Sequence, residues 1–233
     1  MSLPVIALDS IDIAFAPRRW PFEHERRAEI DAYFADRRKL QPKMWNGHVL
    51  LTGADYLVAE RSLSGTCFET DFASLLAWRD WGFPDAGAVN CFAMGALRSA
   101  DGAFLLGVMG AHTAGAGRVY FPAGTPEPAD IVAGRLDLAG SVTREVEEET
   151  GLTAADYIAS PQWHVVLAGP RLSAMKLLAV DAPAVELQRK IRDFLAREAE
   201  PELADMQIVR GPDDFDERMP PFVTAYLEHC LLG

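Results

Sequence analysis

"TREVEEETGL", residues 143–152, sets five charged side chains shoulder to shoulder, four of them glutamates. Like charges this dense repel, so the stretch is either a solvated helix face or the lining of a site that holds a cation. Its flanks suggest the local structure. Asp137 suits an N-cap for a helix whose interior begins at Leu138, and Gly151 suits the left-handed residue that ends one. At about 100° per residue, Glu145, Glu148 and Glu149 stand at i, i+3 and i+4 and share roughly a third of the circumference. Glu147 points away to solvent, while Val142 and Val146 lie on the adjoining flank and can pack on a sheet. Three carboxylates on one side raise one another's pKa unless a cation compensates. Mg²⁺ takes oxygen ligands and typically combines one or two carboxylates with substrate phosphates. Arg144, four residues before Glu148, can hold that carboxylate by a charge-assisted hydrogen bond.

The surroundings of this helix read as α+β. "VNCFAMGALRSADGAFLLGVMG" is two apolar runs joined by an Asp-Gly turn, a hairpin, and "GRVYFPAG" is a third strand. After the helix, "WHVVLAG", "LSAMKLLAV" and "MQIVR" read as strands. Residues 184–199 and "PFVTAYLEHCLL" read as amphipathic and C-terminal helices. Before it, "PVIAL", "IDIAF", "HVLLT" and "YLVAERSL" suggest strands, and residues 22–39 an amphipathic helix. Asp71 is a natural cap for "FASLLAWRDW". The turn-rich "GFPDAGA", residues 82–88, marks the expected boundary between a small α+β part, 1–85, and a larger domain, 86–233.

Composition excludes several classes. Hydrophobic residues make up 49% of the 233, enough for a real core. A net charge of −12 repels a nucleic-acid duplex, so a small phosphorylated ligand would need local arginines or a bridging metal. The longest charge-free run, from Gly102, is broken by glycines and falls short of a membrane span of about 18 apolar residues. The N-terminus lacks the basic start of a signal peptide. Cys67, Cys91 and Cys230 are odd in number and lack CxxC spacing, which points to reduced thiols and a cytoplasmic location.

"REVEEETGL" fits the pattern Arg-Glu-apolar-x-Glu-Glu-x-Gly-apolar, and it follows the strand "VYFPAG". Here the chain resembles the Nudix hydrolase family over residues 88–233. The resemblance implies an α/β/α sandwich with a mixed sheet and hydrolysis of a nucleoside diphosphate linked to another moiety, with Mg²⁺ or alternatively Mn²⁺. It implies that Glu145, Glu148 and Glu149 bind metal, that Glu145 can also activate water, and that Arg144 orients them. It further implies a backbone metal ligand near Ala123 and Gly124. Two departures stand out. Gly124 lies 20 residues before Arg144 where the family has 14, and Leu136 occupies the position of the first signature glutamate. The roughly six added residues, within "TPEPADIVAGRLD", are expected to widen the loop beside the phosphates.

Other residues suggest roles around this helix. Arg171 and Lys176, between and on two strands, are candidates for phosphate contact. Glu198, Glu200 and Glu202 are candidates for a general base taken from a loop, and the sequence does not separate them. His164 reads as a packed strand residue. "WNG", residues 45–47, faintly resembles the N-terminal region of Nudix enzymes that cleave UDP-sugars, and otherwise reads as a Trp packed over an Asn-Gly turn. The resemblance also implies that an added N-terminal domain is commoner in nucleotide-sugar cleavers than in the smallest Nudix proteins, so nucleotide sugars lead the substrate classes, followed by ADP-ribose, dinucleotides and capped RNA ends. The alternative is a Nudix-fold sensor that binds a nucleotide or nucleotide sugar without turnover. Family members are often dimers, so a homodimer is a possible assembly.

Overall fold

The computed structural model describes residues 3–232. In chain order come β1 (Val5–Leu8), β2 (Ser10–Phe15), α1 (Pro21–Glu25), α2 (Arg27–Leu40), β3 (His48–Gly53) and β4 (Leu57–Ala59). Next are β5 (Ser62–Asp71), α3 (Phe72–Asp80), β6 (Ala88–Arg98), β7 (Phe104–Met109), β8 (Val119–Tyr120), β9 (Ile131–Val132) and β10 (Arg135–Leu136). The remainder holds α4 (Leu138–Thr150), β11 (Ile158–Ala159), β12 (Trp163–Ala168), β13 (Arg171–Ala179), α5 (Ala184–Leu195), β14 (Leu203–Val209) and α6 (Pro221–Leu232). The class is α+β, as expected.

The chain divides into two compact units. The first joins residues 1–10, 92–124 and 138–233, and the second joins 11–91 and 125–137. In the first unit, β1 pairs antiparallel with β12, β12 with β13, and β14 with β7. The β6–β7 hairpin closes through Leu97↔Leu105 and turns at Gly102, whose φ of +84° is the left-handed value expected of the Asp-Gly signal.

Alternation along β6 sorts this sheet into layers. Met94 and Ala96 join Met175, Val166 and the α6 residues Val223, Tyr226 and Leu227 in one core. Gly95 points the other way, where a Cβ would collide with Val146 and crowd Leu178. So α4 lies on the face opposite α6, and α5 packs beside it on β14. Helices cover both faces, and the glycine lets α4 approach closely.

The second unit is built on a different core. Trp20, Phe22, Ile30, Phe34, Phe68 and Trp78 pack together, with Trp20 and Trp78 edge to face at 5.7 Å. Asp71 caps α3 by accepting from the Ser74 N–H at 2.7 Å, as its sequence position suggests. The Trp45 ring lies over Gly47, where an added Cβ would meet it, and Asn46 accepts from the Ala73 N–H at 2.8 Å.

Several local expectations need correction. "YLVAERSL" is a hairpin, not one strand: Glu60 and Arg61 both take positive φ, which suits the tight two-residue turn between β4 and β5. The expected helix 22–39 breaks at Arg26, where φ is −108° and ψ is 14°. "GRVYFPAG" contributes only the two residues of β8. The residues added before the signature helix are no open loop. They form a 3₁₀ turn and the β9–β10 hairpin, pair with β2 through Arg135↔Ala14, and belong to the second unit.

Candidate active site

Helix α4 presents the charged stretch as the spacing requires. Val142 and Val146 are buried against the sheet, and Glu147 is exposed. Glu145 and Glu149, one turn apart, are 9% and 3% exposed, whereas the Glu148 side chain is 60% exposed. The trio is therefore graded from core to water. Gly151, with φ of +70°, ends the helix where expected.

Glu145 lies against the "FPAG" turn. The Gly95 N–H donates to the Pro122 carbonyl at 2.9 Å, which holds the turn along β6. A Cβ on Gly124 would fall within the Glu145 carboxyl group, so a residue with a side chain here would displace that carboxylate. The Arg144 Nη1 donates to Glu145 at 2.7 Å and reaches Glu148 at 3.4 Å. Arg144 thus bonds both carboxylates, where the spacing alone pointed to Glu148.

Glu149 has no such company. Neither carboxylate oxygen receives a hydrogen bond of regular geometry, and both are sealed from water. Burial, followed by the charges of Glu145 and Glu202, holds its pKa well above the carboxylate range, and the backbone of Ala123 offsets this in part. Burial likewise pushes Glu145 up to about 7, against the opposing pull of Arg144 and with help from Glu148 and Glu202. An unpaired buried carboxylate is costly unless something cationic completes it.

Glu202 is the residue that sequence reasoning left undecided. It sits just before β14, is exposed, and its charge acts on both Glu145 and Glu149. Its backbone carbonyl accepts from the Gly110 N–H at 2.7 Å, which ties the loop down. Three nearby glutamates in "REAEPELAD" offered no periodic signal that could single it out. The strand register of β14 supplies it.

The remaining candidates lie on other elements. The Lys176 ammonium lies 4.3 Å from the Trp163 ring centroid and donates to the Pro161 carbonyl at 3.3 Å. Burial lowers its pKa. Arg171 opens β13 opposite Ala168 and is half-buried. His164 stacks beside Tyr226 and His229, a packed strand residue as expected. Leu136 is buried in β10.

Among the described residues, no three His, Cys, Asp or Glu side chains are gathered into a metal cage. The donor set nevertheless suits a hard divalent cation. It is all oxygen, and the sealed, unpartnered carboxylate of Glu149 is the group such an ion would complete. Among the same residues, no helix is long and apolar enough to cross a membrane.

No protein-family model matches the chain, and no curated protein matches it. Solved structures do. A Nudix hydrolase from M. smegmatis, RenU, aligns over 60% of this chain and 80% of its own, at 13% identity and a TM-score of 0.38. The MutT protein from Methanosarcina mazei Go1 aligns over 61% and 92%, at 17% identity and a TM-score of 0.38. A bifunctional NMN adenylyltransferase/ADP ribose pyrophosphatase from Francisella tularensis, complexed with AMP and a Mn ion, aligns over 67% of this chain at 18% identity and a TM-score of 0.44. The match spans 46% of that protein.

Proposed function

We propose that the chain hydrolyses a diphosphate bridge that joins a nucleoside to a second moiety, a nucleotide sugar or an ADP-ribose-like compound. The observation that carries this reading is the sealed carboxylate of Glu149, which no side chain pairs, beside a Glu145 pressed against the turn at Gly124. A purely structural helix face has no reason to bury that pair. Glu145, Glu148 and Glu149, with the main chain at Gly124, would hold Mg²⁺ or Mn²⁺. When bound, such an ion neutralises phosphate oxygens and lowers the pKa of water.

The chain's own groups do the rest. Arg144 keeps Glu145 and Glu148 aimed together through its hydrogen bonds. Glu202, exposed and coupled to the buried pair, is our assignment for the base that accepts a proton from the attacking water. The phosphorus–oxygen bond of the bridge breaks, giving a nucleoside monophosphate and the phosphorylated second moiety. Arg171 is our candidate for a phosphate contact.

The test is release of nucleoside monophosphate or phosphate from UDP-glucose, ADP-ribose, dinucleotide polyphosphates and nucleoside triphosphates, with Mg²⁺ or Mn²⁺. Glu148→Gln is expected to fold with an unchanged circular dichroism spectrum and to lose metal-dependent release by orders of magnitude. An equally active variant removes Glu148 from the site. Saturable thermal shifts with no release from any compound would replace the hydrolase with a sensor.

A further inference from the structure

The second unit holds a cavity of about 580 Å³, inside the range of roughly 300–1,000 Å³ typical of small-molecule sites. None of the glutamates of the candidate active site lines it. Arg18, Arg19 and Arg26 line it, together with Glu25 and Asp85. Arg26 is paired with Glu29, so Arg18 and Arg19 are the guanidinium groups on this cavity that could hold an anion.

The cavity is also built to keep its shape. "PRRWP", residues 17–21, brackets the arginine pair with prolines, and Trp20 before Pro21 is extended, with φ of −88° and ψ of 116°. Asp85 fastens the opposite wall. Its carboxylate accepts from the Trp20 indole N–H at 2.5 Å and from the Gly87 N–H at 2.6 Å, and its carbonyl accepts from the Trp78 indole at 2.9 Å. These bonds turn the Asp85 carboxylate toward the protein's own N–H groups. Arg18 crosses between the walls, donating to the Gly87 carbonyl at 2.6 Å with its guanidinium 4.1 Å from the Phe68 ring centroid. That leaves its other N–H groups for a ligand. Arg26 is held by Glu29 through two bonds of 2.7 and 2.6 Å. Arg19 is exposed. Phe22, Pro21 and Pro84 supply apolar lining for the uncharged part of a ligand.

We propose that this cavity binds a small organic phosphate, its phosphate group gripped by Arg18 and Arg19 and its organic part laid on the apolar lining. Guanidinium forks suit phosphate oxygens, and fixed donors lose little freedom on binding. The site needs no metal, which separates it from the hydrolytic reading.

Calorimetric titration with adenosine monophosphate in EDTA tests it, with inorganic phosphate and citrate as parallel probes. Saturable 1:1 binding is expected, weaker for inorganic phosphate, and weakened about tenfold or more by Arg19→Gln. Arg18→Gln should act alike, with thermal melts reporting whether it still folds. No saturable binding, or binding untouched by Arg19→Gln, overturns the proposal. So does binding lost in Glu149→Gln, which would put the ligand at the carboxylates. Citrate binding as well as adenosine monophosphate would refute phosphate as the recognised group.

Discussion

At the scale of single residues, Glu149 is where stability and function oppose each other. It is sealed, unpaired and surrounded by other acidic groups. Its folded-state pKa is raised, so the cost of ionising it appears as pH climbs above the ordinary carboxylate value and is absent well below that value. A neutral amide costs less to bury than a carboxylate. Glu149→Gln is therefore expected to stabilise the metal-free protein by roughly 1–3 kcal/mol at pH 8 and by almost nothing near pH 4. Denaturant melts at the two values check this, and a destabilised variant at pH 8 would contradict it. Gly124→Ala probes the neighbouring carboxylate. A Cβ there displaces Glu145, so the variant should stay folded yet need severalfold more Mg²⁺ for half-maximal release; an unchanged metal titration would clear Gly124 of any part. The pattern around Arg144 made the helix and its three glutamates legible in advance. Their unequal burial was not, because the sequence spacing gives angle around the helix but no depth.

At the scale of elements, capping and close packing hold the pieces in register. Asp71 caps α3 and also pairs with Arg27 at 2.5 Å. Although burial opposes it, the bonds from Arg27 and Ser74 hold its pKa below the usual range. Its contribution is full above the unfolded value and fades as pH falls through the folded one. Asp71→Ala should cost about 1–2 kcal/mol at pH 7, and less in acid, by denaturant melts. Equal losses at both values would deny the charge any role. Helix limits were readable where a cap or a glycine frames them, as with Asp71 for α3 and Gly151 for α4. They were misread where tertiary contacts decide, as at Arg26 and at the Glu60–Arg61 turn. The β9–β10 hairpin leaves no signal in the sequence because its strands are two residues each, too short for any alternation to show.

At the scale of the whole molecule, burial governs the thiols and topology governs assembly. Cys67 and Cys91 are buried, and burial raises them to about 11 and 12, while Cys230 is half-buried and also raised. All three should react slowly with a maleimide in the native protein and fast in denaturant; rapid native labelling of Cys67 or Cys91 would speak against this packing. The interleaving of the two units was not legible, since a turn-rich stretch near residue 85 marks where the chain bends and not where its contacts go. The chain passes between the units four times, and Val5 pairs with Val166. During synthesis on a ribosome, the opening strand must therefore wait, without its partner, until most of the polypeptide has emerged. Whatever shelters β1 in that interval, a chaperone or a transient hairpin with β2, becomes part of how this protein reaches its working form.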